Sequence, residues 1–153
     1  MNTLPAAAFR LRIILMTATL CCLMGSPAIA EDAMTGRMIS FESVQFAPDQ
    51  DVSCLASALE TGNPTKGSST SILKAPPGCV VPWHSHIAEE QLIVVTGSVI
   101  TEMKGQPPTR LSGGGFAVMA SHVAHKFSCQ GPDMCVMFAT FDRTYDIKWE
   151  KGP

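Results

Sequence analysis

Two short segments hold every histidine of this chain, and their spacing limits the possible folds more than any other feature. The first reads Gly78-x5-His84-x-His86-x3-Glu90-x6-Gly97, and the second Phe116-Ala-Val-Met-Ala-Ser-His122-Val-Ala-His125. Alternate side chains of a strand share a face, so His84 and His86 point the same way and Glu90 keeps their parity. Imidazole nitrogen and carboxylate oxygen together suit divalent first-row metals. The chain must therefore fold so that two distant segments meet around one point.

The rest of the sequence favours strands. With 12 Gly and 11 Pro there is no room for long segments of helical period. Met38–Phe46 alternates apolar and polar residues and predicts a first strand, while 57–69 reads as a polar loop around Gly62-Asn-Pro64. Further strands are expected at Ser69–Ala75, Val80–Trp83, Glu89–Thr96, Ser98–Met103, Phe116–Met119, Val123–Ser128, Cys135–Phe141 and Tyr145–Trp149. Gly97 separates two β-prone runs and predicts a hairpin turn, with further turns at Lys104–Pro108 and Leu111–Gly115. Nine or ten short strands without intervening helices imply an all-β, antiparallel sandwich or barrel.

The N-terminus is set apart by composition. Residues 1–30 lack acidic residues, carry Arg10 and Arg12, and run through the apolar stretch Leu11–Met24 to Ala28-Ile-Ala30. That order predicts a secretory signal peptide cleaved after Ala30 and a periplasmic or secreted product. The apolar run is short for a membrane span, and the residues before Cys21 and Cys22 are not the small ones of a lipid-attachment site. Domain organisation then becomes signal peptide 1–30, lead-in and first strand 31–50, and one domain over 51–150. The formal net charge is −2, and no basic stripe or arginine-rich arm is present. Nucleic acid is thus not an expected partner, nor is a membrane once the signal has gone. Cys54, Cys79, Cys129 and Cys135 remain, an even number in an exported chain. Cys129 and Cys135 flank a turn-rich stretch and are the favoured pair, with Cys54–Cys79 second; free buried thiols are the alternative. No two of them have the close spacing of a cysteine zinc site.

The first histidine segment resembles the cupin signature Gly-x5-His-x-His-x3-Glu-x6-Gly at every fixed position. The second cupin signature, Gly-x5-Pro-x-Gly-x2-His-x3-Asn, is met only by Gly114 and His125, with Ala120, His122 and Cys129 in place of its proline, glycine and asparagine. The resemblance implies a jelly-roll β-barrel, a homodimer, and one divalent transition metal per chain (Fe, Mn, Ni or Zn) held by His84, His86, Glu90 and His125. Three imidazoles and one carboxylate would leave one or two coordination positions open, as catalytic metals require.

Other residues carry weaker expectations. His122 stands three from His125, which reverses strand parity and turns it away from the metal or to the rim. Its alternative role is a catalytic acid or base beside the ligands. Glu89 is expected outside. Trp83, Met103, Phe116, Met119, Phe127 and Met137 are candidates for pocket lining or plain core, and Arg143 and Tyr145 for the barrel mouth or a solvated loop. The function expected is a metal-dependent, dioxygenase-like enzyme, or an isomerase or lyase, acting on a small organic substrate. The alternative is a non-catalytic periplasmic protein that binds or senses a metal or small ligand.

Overall fold

Short β-prone runs cut by glycine and proline form eleven strands in the computed structural model, which describes residues 36–152. Contacts divide the chain after Arg37, and the jelly roll belongs to the unit from Met38 onward. The signal peptide expected at 1–30 lies outside the described residues. Among those described, no helix is long and apolar enough to cross a membrane.

In chain order the strands are β1 (Ala47–Pro48), β2 (Ala56–Gly62), β3 (Ser69–Ala75), β4 (Val80–Ser85), β5 (Glu90–Thr96) and β6 (Ser98–Met103). They continue as β7 (Thr109–Ser112), β8 (Phe116–Met119), β9 (His125–Gln130), β10 (Cys135–Phe141) and β11 (Lys148–Trp149). One sheet runs β1-β2-β3-β10-β5-β8 and the other β11-β4-β9-β6-β7, with antiparallel pairing throughout. The all-β jelly-roll expectation holds. The sheets keep separate ladders and are not joined into a closed barrel.

Alternation sets the core. On β5, Glu90, Leu92 and Val94 are buried while Gln91, Ile93 and Val95 are exposed. Leu92, Val94, Val99, Met119, Met137, Cys129 and Cys135 are the largest fully buried side chains. β10 is buried on both faces because Val44 and Phe46 cover Val136 and Phe138 from outside. Two disulfides, Cys54–Cys79 and Cys129–Cys135, link the ends of neighbouring segments, matching the favoured pairing.

Three sequence expectations need correction. Met38–Phe46 is not a strand: it contains a 3-10 turn at Phe41–Ser43 and lays Val44 and Phe46 on Ala58, Ile72 and Val136. Its apolar residues serve to cover a sheet, with the Lys74 ammonium 5.0 Å and 4.0 Å from the Phe41 and Phe46 ring centres. The loop expected at 57–69 hides β2, whose Ala, Glu and Gly have weak strand preference but pair along β3 from Ala56↔Lys74 to Gly62↔Ser69. Gly97 is a corner and not a hairpin turn, because β5 and β6 lie in different sheets. Its φ is 79°, and a Cβ at this position would stand 2.7 Å from the Met134 carbonyl oxygen, which leaves room for glycine alone. Smaller shifts occur at β9, which starts two residues late, and at β11, which keeps only Lys148–Trp149 of the expected Tyr145–Trp149.

Candidate metal centre

The four residues singled out by the first motif and by His125 converge. One donor atom from each of His84, His86, Glu90 and His125 lies within 4.8 Å of every other, and each residue is only 3–4% exposed. His84 at the end of β4 pairs with His125 at the start of β9, their rings 4.2 Å apart. His86 sits in the loop that leaves β4. Glu90 opens β5 in the opposite sheet, so strand parity does not carry it to the site: β4 ends at Ser85, and the chain changes sheet in between.

Backbone carbonyls fix each imidazole. Nδ1 of His84 donates to the Pro82 carbonyl at 2.7 Å, Nδ1 of His125 to the Val123 carbonyl at 2.9 Å, and Nδ1 of His86 to the Asp146 carbonyl. A carbonyl oxygen only accepts, so these bonds place the proton on Nδ1 and leave the Nε2 lone pair of a neutral ring free. Nε2 of His86 and of His125 then face Glu90 Oε2 at 3.3 Å and 3.1 Å. Lone pairs converging on a buried carboxylate need positive charge between them, either protons or a cation. A divalent transition metal fits that donor set.

Titration shows the same tension. Burial, reinforced by the charge of His125, lowers His84 from 6.5 to about 4. Burial also works to lower His86, but the hydrogen bond and charge of Glu90 outweigh it and raise the ring above its ordinary value. For Glu90, burial would raise the carboxyl, yet hydrogen bonds from His125 and His86 hold it down to about 2. Glu90 is therefore an anion at neutral pH.

The surroundings brace the donors. β11 pairs with the end of β4 as Lys148↔Ser85 and Trp149↔His84, and Ser85 Oγ donates to Glu150 Oε1 at 2.9 Å. His122 N–H donates to the His86 carbonyl at 2.8 Å, and Ser121 Oγ to the Ile87 carbonyl at 2.6 Å. His122 itself is exposed with φ 64°, the left-handed conformation for which the second signature has glycine. It is not brought to the four donors.

A cavity of about 540 Å³ is lined by His84, His86 and Glu90 but not by His125. Phe127 lines it, as expected; Met119 and Met137 are core, and Met103 and Phe116 border a separate cavity of about 240 Å³. Tyr145 lines the main cavity, its ring 5.4 Å from that of His86 and its hydroxyl donating to Asp51 Oδ2 at 3.1 Å. Burial and the neighbouring Asp51 push its phenol well above the ordinary range. Arg143 pairs with Asp142 at the surface, and Glu89 is partly exposed. Asp49 to Val52, which no periodicity marks in the sequence, form another part of the wall. So do Ser57, Ser69 and Ser71, in a region that reads as loop or as ordinary strand.

A family model described as "Cupin domain" matches residues 71–141, a span that contains all four donors. Comparison with curated proteins gave no match. Among solved structures, KdgF from Halomonas sp. aligns with TM-score 0.59 at 21% identity, covering 70% of this chain and 95% of that one. The polyketide cyclase RemF from Streptomyces resistomycificus aligns with TM-score 0.67 at 11% identity, covering 78% and 88%. The DMSP lyase DddQ from Ruegeria pomeroyi DSS-3 aligns with TM-score 0.52 at 20% identity, covering 69% of this chain and 54% of that one. At such identities the likeness concerns the fold. Motif, two-sheet jelly roll and family model agree: this chain carries a small cupin domain.

Proposed function

We propose that this protein is a metal-dependent enzyme acting on a small organic molecule, with His84, His86, Glu90 and His125 as ligands of one Fe, Mn, Ni or Zn ion. One observation carries the reading: three of the four donors border a cavity of about 540 Å³, within the size range of small-molecule sites. Four protein donors leave one or two positions of a five- or six-coordinate ion for substrate or water. Bound there, such a metal supplies a Lewis acid or redox centre suited to dioxygenase-like, isomerase or lyase chemistry. The chain's own residues orient the imidazoles through backbone carbonyls, keep Glu90 ionised, and surround the opening with Tyr145, Phe127 and Phe141.

RemF and DddQ, a cyclase and a lyase by their descriptions, are enzymes on this fold and support the class of activity. Two disulfides are compatible with an oxidising compartment, which supports export to the periplasm or beyond. A homodimer is part of the same reading. The test is elemental analysis of protein purified without chelators, beside a His125→Ala variant. About one transition metal per chain, lost in the variant, is expected; equal metal content in both, or none in either, sinks the assignment. Metal retention without any turnover of candidate substrates turns the reading to a binding or sensing protein.

A further inference from the structure

The inner face of the β2–β3 corner departs from the pattern of its own sheet. Apart from the donor Glu90, inward positions such as Ala75, Leu92, Val94, Met137 and Ala139 are buried hydrophobics. On β3, however, Ser69 and Ser71 occupy the inward positions before Leu73, and Ser57 on β2 pairs across from Leu73. All three serines line the main cavity. Ser69 is 4% exposed. No side-chain nitrogen or oxygen sealed from solvent lacks a partner among the described residues. The Ser69 hydroxyl, for which no hydrogen bond is found there, is therefore not sealed from solvent, and Ser57 and Ser71 line the same cavity.

Charge narrows the occupant further. No lysine or arginine is among the residues lining this cavity, whereas Asp49 and Asp51 are. A divalent ion with Glu90 and neutral imidazoles retains about one positive charge, enough to attract a single anionic group. A second anion would meet carboxylates and no cation. A hydrocarbon chain would pack on Leu55, Leu73, Val81 and Phe127 but return no hydrogen bonds to the three serines, at a cost for each. A hydroxylated chain meets both demands: its O–H groups donate to serine and aspartate oxygens and accept from serine hydroxyls.

We infer that the cavity takes an aliphatic polyhydroxy monoanion, its one acidic end at the metal donors and its hydroxyls along Ser57, Ser69 and Ser71. This rests on the metal-centre reading and names the substrate class of that site. The alternative, that serines occur there only because they are small, is separated by Ser→Ala changes, which keep the space and remove the oxygen.

The experiment loads the full mature protein with cobalt(II) and follows its absorption, with calorimetry, on adding gluconate, hexanoate or glucarate. Gluconate is expected to bind at least about tenfold more tightly than hexanoate, which lacks the hydroxyls, and than glucarate, which adds a second carboxylate. Ser69→Ala and Ser71→Ala should each weaken gluconate by roughly three- to tenfold and leave hexanoate unchanged. Equal binding of gluconate and hexanoate, unchanged gluconate affinity in both variants, or no gluconate binding at all overturns the inference. Failure to take up cobalt overturns the metal centre instead. In that case, calorimetry of gluconate with metal-free wild type and the two variants still decides the role of the serines.

Discussion

Glu90 Oε2 lies 3.1 Å from His125 Nε2, although the two residues belong to strands of opposite sheets. The contact spans the interior of the jelly roll and joins its two layers at one buried point. Glu90→Ala should therefore remove the carboxylate on which the imidazoles converge. Metal affinity is expected to fall by on the order of 100-fold or more, beyond what changes in the surrounding hydrogen bonds cause. Competition against a chelator of known affinity measures it, and retention of wild-type affinity would falsify the role given to Glu90.

In the metal-free protein, stability should decline on the acid side. His84 is held down from 6.5 to about 4, so between those values the unfolded chain takes up a proton that the folded one refuses, and stability is lost as pH falls. Glu90, held down from 4.5 to about 2, adds a further loss below 4.5 by the same sign. His86, raised above 6.5, acts oppositely: its contribution is complete below 6.5 and fades as pH rises through its folded value. The steepest loss belongs below pH 4.5, where His86 no longer changes and the other two act together. Melting temperatures of chelator-treated protein from neutral to acid pH give the answer, and a rise as pH falls below 4.5 contradicts it.

The disulfides should differ in weight. Cys54–Cys79 closes a separation of 25 residues and Cys129–Cys135 one of 6. Loop-closure entropy then predicts a loss of about 3 kcal/mol for Cys54→Ser with Cys79→Ser, against about 2 kcal/mol for the other pair. Urea unfolding of the two double variants reads the order directly.

At the corner, Gly97→Ala should destabilise by about 2 kcal/mol or more, since a Cβ there would meet the Met134 carbonyl oxygen at 2.7 Å from a backbone with φ 79°. Thermal unfolding at fixed pH tests it. A variant as stable as wild type means the β5–β6 corner relaxes freely.

His122→Gly is the contrasting case. The residue already has the conformation that glycine favours, its side chain is exposed, and its N–H bond to His86 survives the change. Metal content should stay the same and stability should change by less than about 1 kcal/mol. A loss of metal on this substitution assigns the imidazole side chain, and not only its backbone, to the centre.

How much of the fold and the site is legible in the sequence depends on the kind of signal. Ser69–Ala75, Ser98–Met103, Phe116–Met119 and Cys135–Phe141 have the strand limits that their composition predicts, because turn residues bound each of them. β2 is hidden in the sequence, since Ala56–Gly62 owes its conformation to the β3 ladder and not to its own preferences. The motif picks out four donors that do converge, but strand parity gives the wrong reason for Glu90, which arrives from the other sheet. Tyr145 is a candidate from its place near the closing strand, but Asp51 and the three serines carry no local pattern at all. Their meeting around one cavity is a product of tertiary structure, and only the folded chain reveals it.

The pairing of Trp149 with His84, and the hold of the Asp146 carbonyl on His86, have a consequence for the order of assembly. All four donors have left the ribosome well before residues 146–149 emerge, yet two of them lack their final supports until that stretch has docked. The surroundings of His84 and His86 are thus completed only when the stretch 146–149 is in place. A chain stopped short of Asp146 would own every donor and still lack the strand pairing at His84 and the carbonyl that fixes His86.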